Sequence, residues 1–340
     1  MAGEPVMGGQ NMPKLSVVVC TYNRAKLLQQ ALESLACQSL GQELYEIVVV
    51  DNHSTDRTQA VALAFQQEHL LIQFVLAYEA EIGLGHARNR GWHQAKGLYI
   101  AFMDDDAKAD PHWLRHALEI FEKVTPPPLG IGGPIFPHYA FSKPRWFKDE
   151  YEIRSWGTFS RALESGETFS GSNMIIRRDL LAKLGGFDVR VGMKGTRLSV
   201  GEETALFQRI WKDHGRGALY YSPELVIYHV VGQNKMRVRY HLKRAFVTGK
   251  VWYFQNGPRA ILERLRFVRQ TMRAIRSLCA EAIKSFRSFP DYHNWIVERL
   301  SPVALEVGRL LGGLGAISPA QHGEMPGISR VGLTSRSHME

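Results

Sequence analysis

With 340 residues, 45% of them hydrophobic, the chain exceeds one average domain and has material for a sizeable core plus an accessory segment. Its three cysteines, Cys20, Cys37 and Cys279, are odd in number and lack metal-ligand spacing, which argues against a disulfide framework or zinc knuckle and for a reducing compartment. The net charge of +9 is concentrated: residues 235–290 hold 14 Lys or Arg against two acids, Glu263 and Glu281, so the remainder is slightly acidic, as expected of a catalytic domain carrying a basic appendage and not of a nucleic-acid binder.

Residues 1–13 lack a basic region followed by an apolar one, and no run approaches the roughly 18 apolar residues of a spanning helix. A flexible start, no membrane span and a cytoplasmic location are expected. LSVVVC, residues 15–20, is short, apolar and β-branched, the pattern of a strand covered on both faces. A helix follows in AKLLQQALESLACQS, where Leu27, Leu28, Ala31, Leu32 and Leu35 recur at helical spacing and Gly41 supplies the stop. The apolar run 45–50 ends at Asp51, NHSTD is a turn, and Thr55 or Asp56 can cap a helix through His69. A strand at 71–76, a Gly-flanked helix around GLGHARNRGWHQAKG and the strand LYIAFM come next, the last stopping at Asp104, Asp105 and Asp106. The alternation predicts an α/β fold with a Rossmann-like, mostly parallel sheet flanked by helices. Ligands in such sheets sit beyond the carboxyl ends of the strands, where Thr21, Tyr22, Asn23, Arg24, Asp51 and the three aspartates all fall.

After a helix at 111–124, prolines 126–128 break the rhythm, and Tyr139, Phe141, Trp146, Phe147, Tyr151, Trp156 and Phe159 crowd one stretch. Order returns with SNMIIRR as a strand, GGFD as a turn, EETALFQRIWKDHG as a helix and ALYYSPELVIYHV as extended chain. The three consecutive carboxylates carry the strongest chemical signal. Like charges about 4 Å apart repel by about 1 kcal/mol in water and about 4 kcal/mol at an effective dielectric near 20, so a cation is expected there. Mg²⁺ or Mn²⁺ shared with substrate phosphates suits such a set; the plain alternative is a solvated acidic turn or a cap for the following helix, which Asp110 supplies equally.

These aspartates do not stand alone. SVVVCTYNR, VVVDNHSTD, GLGHARNRG, YIAFMDDDA and GEETALFQRI occur in the order and spacing of family 2 glycosyltransferases, and the chain resembles that family over about residues 14–232. The resemblance implies the GT-A fold, a nucleotide-sugar donor, usually UDP-linked, a saccharide or lipid-linked acceptor, and inversion at the anomeric carbon. On the matching positions it implies that Thr21, Tyr22, Asn23 and Arg24 shape the nucleoside pocket and that Asp51 accepts the base N–H, unless it is only a turn cap. His53 stands where the family often has Gly. Arg88 is matched to the donor diphosphate or its metal site, with Asn89 tying its helix to the adjoining loop. Asp106 is matched to the metal, Asp104 and Asp105 share ribose and metal contacts, and His229 offers an imidazole to the metal or is a satisfied strand-end histidine. Glu203 is matched to the catalytic base. Glu202 is the alternative if the helix is not shifted, and both acids would also favour a helix N-terminus without any catalytic role. Residues 171–173 and 185–188 resemble the acceptor-side wall, and Trp146 or Trp156 can stack on a sugar or belong to the core.

GLGHARNRG fails as a dinucleotide fingerprint, because Arg88 occupies the place of the third glycine. A sugar nucleotidyltransferase would need a Gly-rich loop after the first strand, which TYNRAK matches poorly; a silent carbohydrate-binding protein of the same fold is the non-enzymatic rival. In the basic region 233–311, Ile261, Leu265, Val268, Met272, Ile275, Cys279, Ile283 and Phe286 step by three or four among arginines. Residues 258–287 therefore suit an anionic membrane surface, or packing on the catalytic domain or a second copy of the chain as a homo-oligomer. Residues 312–340, rich in Gly, Ser and Pro, are expected to be an irregular tail.

Overall fold

The structure is a computed structural model that describes residues 12–164, 166–190, 201–258 and 260–317. Four parallel strands form its first half: β1 (Leu15–Thr21), β2 (Tyr45–Asp51), β3 (Gln73–Tyr78) and β4 (Tyr99–Asp104), in the order β3-β2-β1-β4. Helices α1 (Ala25–Ala36), α2 (Thr58–Glu68), α3 (Leu84–Gln94) and α4 (Trp113–Lys123) connect or follow them. The two-residue period of a strand divides the core. Val17, Val19, Ile47 and Val49 pack with Leu28, Leu32, Phe65 and Leu114 of α1, α2 and α4. Val18, Val48 and Val50 pack on the other face with Ala87 and Trp92 of α3. All seven residues of β2 are buried, which is why these strands read as continuous apolar runs and not as alternation.

The sheet continues as β9 (Met174–Arg177), β6 (Gly130–Gly132), β10 (Leu219–Tyr221) and β8 (Arg161–Ala162), giving the order β3-β2-β1-β4-β9-β6-β10-β8, with β9 antiparallel to β4. Helices α5 (Arg178–Leu184) and α6 (Glu202–His214) cover it. A second sheet, β5-β11-β7, joins β5 (Ala107–Ala109), β11 (Ile227–Val231) and β7 (Ile135–Tyr139). Its register pairs His229 with Ala107, which sets the imidazole beside the aspartates one residue upstream. β5 also separates the aspartates from α4, so they do not cap that helix.

The basic appendage is helical: α7 (Val238–Asn256), α8 (Ile261–Ser285) and α9 (Tyr292–Trp295), which runs through a wide turn at Ile296–Leu300 into α10 (Ser301–Ile317). α10 lies against α7, where a side chain at Gly249 or Gly308 would run into the backbone of Leu305 or Phe246. The helix persists through Ile317, six residues into the segment expected to be an irregular tail; Gly312 and Gly313 are buried, with Tyr253 beside them. Small residues that read as loop composition here permit close helix packing; residues 318–340 lie outside those described.

Trp146 is where the two parts meet. Its ring stacks on His293 at 5.2 Å, its carbonyl accepts from Asn294 Nδ2, and Lys148 pairs with Glu298 at 2.6 Å. Of the two readings open for Trp146, sugar stacking or core, the structure fits the second: the residue seats the appendage. α8 itself buries only Thr271 and Ala282 and leaves Ile261, Leu262, Leu265, Met272 and Ile283 exposed, as is Phe286 just beyond its end. Among the described residues no helix is long and apolar enough to cross a membrane.

Candidate active site

The carboxyl ends of β1 and β4 open into a cleft of about 1660 Å³, lined in part by Thr21, Tyr22, Arg24, Arg88, Asp104, Asp105, Asp106, Glu202, Glu203 and His229. Ordinary small-molecule sites run to about 300–1,000 Å³, so the space admits two substrates together. Trp156 lines it as well.

The three aspartates separate into two roles. Oxygens of Asp104 and Asp106 and one nitrogen of His229 lie within 4.8 Å of one another. His229 Nε2 stands 3.1 Å from Asp106 and 3.9 Å from Asp104. Asp105 points elsewhere, pairing with Arg24 at 2.8 Å. Burial lifts the Asp105 carboxyl to about 6 even though Arg24 opposes it. Burial would raise Asp106 too, but Lys235 and His229 facing it hold it well below the usual carboxylate range. Two hard carboxylates and an imidazole form a donor set that fits Mn²⁺ or Mg²⁺. Lys235 Nζ lies 3.5 Å from Asp106 and 3.2 Å from His229 Nδ1. Lys235 belongs to no recognisable motif; its one signal in the sequence is its place six residues after His229.

Arg88 joins the two acidic groups. It is 2% exposed, lies 3.5 Å from Asp104, and reaches the start of α6, 3.1 Å from Glu203 and 3.7 Å from Glu202. Burial alone would weaken its hold on the proton, yet Glu203, Asp104 and Glu202 push it above its ordinary value. This guanidinium organises carboxylates, Asp104 of the candidate metal group among them. Asn89 fastens the same helix by donating to the Phe187 carbonyl and accepting its N–H.

Adjacent helix positions diverge by about 100°, and that separates the two glutamates. The Glu202 side chain is 3% exposed and that of Glu203 23%, although both border the cleft. Burial, reinforced by the Glu203 charge, raises Glu202 to about 7. Its Oε2 is buried with no hydrogen-bond partner among the described residues. Glu203 turns its Oε1 to Arg88, and its second oxygen makes no hydrogen bond to a described residue.

The segment expected to form an acceptor wall is instead a brace. A Cβ on Gly171 would collide with Glu203 Oε1 and Arg88 Nη2. Ser172 Oγ accepts from the Asp104 N–H at 3.3 Å. Asn173 donates to the carbonyls of Pro134 and Leu225 and accepts from Trp113 Nε1. Gly171→Ala is expected to lower turnover at least about tenfold, with a melting temperature within a few degrees of wild type, because a misplacement near 1 Å is enough to cost catalysis dearly. Unchanged steady-state kinetics in this variant would show that the close approach is dispensable.

Two nucleoside-side expectations also change. Asn23, in the left-handed region at φ 53°, spends its Oδ1 on the N–H groups of Thr55 and Asp56 and does not border the cleft. Asp51 is buried and also off the cleft lining; one oxygen accepts from Ser54 N–H at 2.9 Å, a turn cap. His53 keeps the left-handed conformation at φ 68° that a glycine adopts more readily, and its Nδ1 bonds the Tyr78 hydroxyl.

Comparison with known proteins agrees with this architecture. The family model described as glycosyl transferase family 2 matches residues 16–185. A glucosyl-dolichyl phosphate glucuronosyltransferase of Haloferax volcanii is 28% identical over 217 residues, 61% of this chain and 66% of that protein. The match thus spans just under two thirds of that relative. The succinoglycan biosynthesis protein ExoM of Rhizobium meliloti is 27% identical over 263 residues, 75% of this chain and 78% of that one. In fold, the chain is similar to the mannosyltransferase PcManGT of Pyrobaculum calidifontis, solved with GDP-Man and Mn²⁺, with a TM-score of 0.59 and 20% identity over 88% of this chain and 87% of that one.

Proposed function

The chain belongs to glycosyl transferase family 2, and from that membership we propose an inverting, metal-assisted transfer of a sugar from a nucleoside-diphosphate donor to a hydroxyl of a saccharide or lipid-linked acceptor. The observation that carries this reading is the opposition, within one large cleft, of the Asp104, Asp106 and His229 group and the open oxygen of Glu203. Glu203 takes the proton of the acceptor hydroxyl, whose oxygen bonds to the anomeric carbon on the face opposite the diphosphate. The carbon–oxygen bond to the diphosphate breaks and its electron pair departs with the nucleoside diphosphate. Arg88 holds Glu203 in place throughout, while Arg24 and Lys235, at the other acids, supply positive charge on the leaving-group side. Mn²⁺ or Mg²⁺ held by Asp104, Asp106 and His229 would offset the charge that builds on the leaving diphosphate.

Uridine is the first base to test, because the resemblance to family 2 glycosyltransferases implies a UDP-linked donor. A thermal-shift panel of UDP-, GDP- and dTDP-sugars, each with and without Mn²⁺, is expected to give one nucleotide that stabilises the protein only with the metal. A flat response across the panel would remove the donor assignment.

The appendage supports action at a lipid surface. The exposed apolar residues of α8 alternate with Arg266, Arg269, Arg273 and Arg276, also exposed, a composition suited to anionic headgroups. The protein is expected to sediment with phosphatidylglycerol vesicles and not with phosphatidylcholine, and Leu262→Gln combined with Phe286→Gln to release it. Equal sedimentation of that double variant would rule out this face.

A further inference from the structure

The cleft holds more positive charge than the acids within it can balance. Among the described residues its lining has five carboxylates, all in the Asp104–Asp106 and Glu202–Glu203 groups, and eight Lys or Arg side chains. Arg24, Arg88 and Lys235 pair with those carboxylates. Arg154, Lys243 and Arg244 do not. Among the described residues no carboxylate comes within 4 Å of Arg154 or Lys243, and Arg244 has only Glu152, at 3.6 Å. Arg154 is half-buried, and its one hydrogen bond to a described side chain goes to Ser170 Oγ at 3.3 Å. Two guanidiniums and an ammonium in one cleft, with Tyr240 and Thr248 beside them, form a concave donor surface for a group rich in oxygen and negative charge.

We propose that Arg154, Lys243 and Arg244 form an anion subsite, separate from the donor end of the cleft, that binds a phosphate or diphosphate carried by the acceptor. The assignment rests on the transferase reading above and narrows it. A nucleoside diphosphate and its metal satisfy the aspartate end and leave Arg154 and Lys243 without a carboxylate among the described residues and Arg244 with Glu152 alone. The desolvation of Arg154 and the repulsion by Arg244, which together hold its guanidinium below the ordinary value, are offset by the charge of an anion bound beside them. Lys243 and Arg244 lie in the second turn of α7, the first helix of the appendage that leaves α8 exposed. A phosphate linking a saccharide to a lipid would therefore lie between the catalytic carboxylates and the apolar helix. A phosphate belonging to the saccharide itself offers the same chemistry.

The test titrates the full chain with farnesyl diphosphate, farnesol and glucose 1-phosphate in the presence of Mn²⁺ and saturating nucleoside diphosphate, so that the donor end is filled. Farnesyl diphosphate is expected to bind, and to bind at least tenfold more weakly to Lys243→Gln and to Arg244→Gln, while Arg244→Lys recovers part of the loss. Lys123→Gln, which removes an exposed charge on the outside of α4, should leave the affinity unaltered. Glucose 1-phosphate binding with the same dependence on Lys243 and Arg244, and farnesyl diphosphate failing to bind, would retain the subsite and place its phosphate on the saccharide. Wild-type affinity for both phosphates in Lys243→Gln and Arg244→Gln, or farnesol binding as tightly as farnesyl diphosphate, would overturn the proposal. Lys243 is exposed, so its variant is expected to keep the wild-type melting temperature, which is measured alongside. Nucleoside diphosphate binding is measured separately: its absence would strike the donor assignment, whereas its presence without phosphate binding strikes only the subsite.

Discussion

Glu203→Gln is expected to lower the transfer rate by about 10²–10⁴-fold with donor affinity nearly unchanged, the range for loss of a positioned general base. Geometry makes Glu203 the better placed of the two acids, since the acceptor must reach a carboxylate oxygen from the cleft and Glu202 is almost entirely covered. Glu202→Gln should act mainly on stability. A carboxyl raised to about 7 in the fold from an ordinary value of 4.5 binds its proton more tightly folded than unfolded. The resulting stabilisation is complete below pH 4.5 and is lost as pH rises through about 7, a swing of about 3 kcal/mol at most. Glutamine, always neutral, should remove that slope and raise the melting temperature at pH 8. Transfer by Glu203→Gln at the wild-type rate would defeat the base assignment. Inactivity of Glu202→Gln with Glu203→Gln active would exchange the two roles.

Asp106→Asn is expected to abolish metal binding and with it about 10³-fold of turnover, the scale of losing a fixed charge partner in the transition state. The checking measurement does not depend on activity. Mn²⁺ at about 100 times its Kd should stabilise the wild-type protein by about 2.7 kcal/mol, and this increment should vanish in the variant. Without metal, the variant should also be less stable at neutral pH. Asp106 is depressed in the fold, so its charged form stabilises the protein above the ordinary carboxylate range and that contribution fades as acid is added. The loss leaves Lys235 and His229 facing an amide. If Mn²⁺ raised the melting temperature of Asp106→Asn as much as that of wild type, the Asp104, Asp106 and His229 group would not be the metal site.

Several parts of the site are legible in the sequence. The end of β4 at consecutive aspartates follows from an apolar run meeting charges, and the Rossmann-like half follows from alternation alone, because strands covered on both faces leave continuous β-branched runs. The convergence of His229 with Asp104 and Asp106 was readable only as a possibility. It depends on β11 pairing with β5 across more than a hundred residues, and no local pattern encodes that register. Asn23 and Asp51 were matched to ligand contacts, yet both side chains also satisfy backbone N–H groups of one turn. Short polar side chains next to turns serve either purpose, and residue type cannot separate the two.

The sequence by itself determined the order of the strands in the first half, the family, and the positions at which acids meet strand and helix ends, because periodicity and chain order are local properties. Only the tertiary structure decided which acids share a cation, which glutamate faces the cleft, that Gly171 must lack a side chain, and that Trp146 seats the appendage. Those outcomes depend on burial and on contacts between residues distant in the chain, where a rotation of one helix position or a shift of one register step exchanges solvent for core.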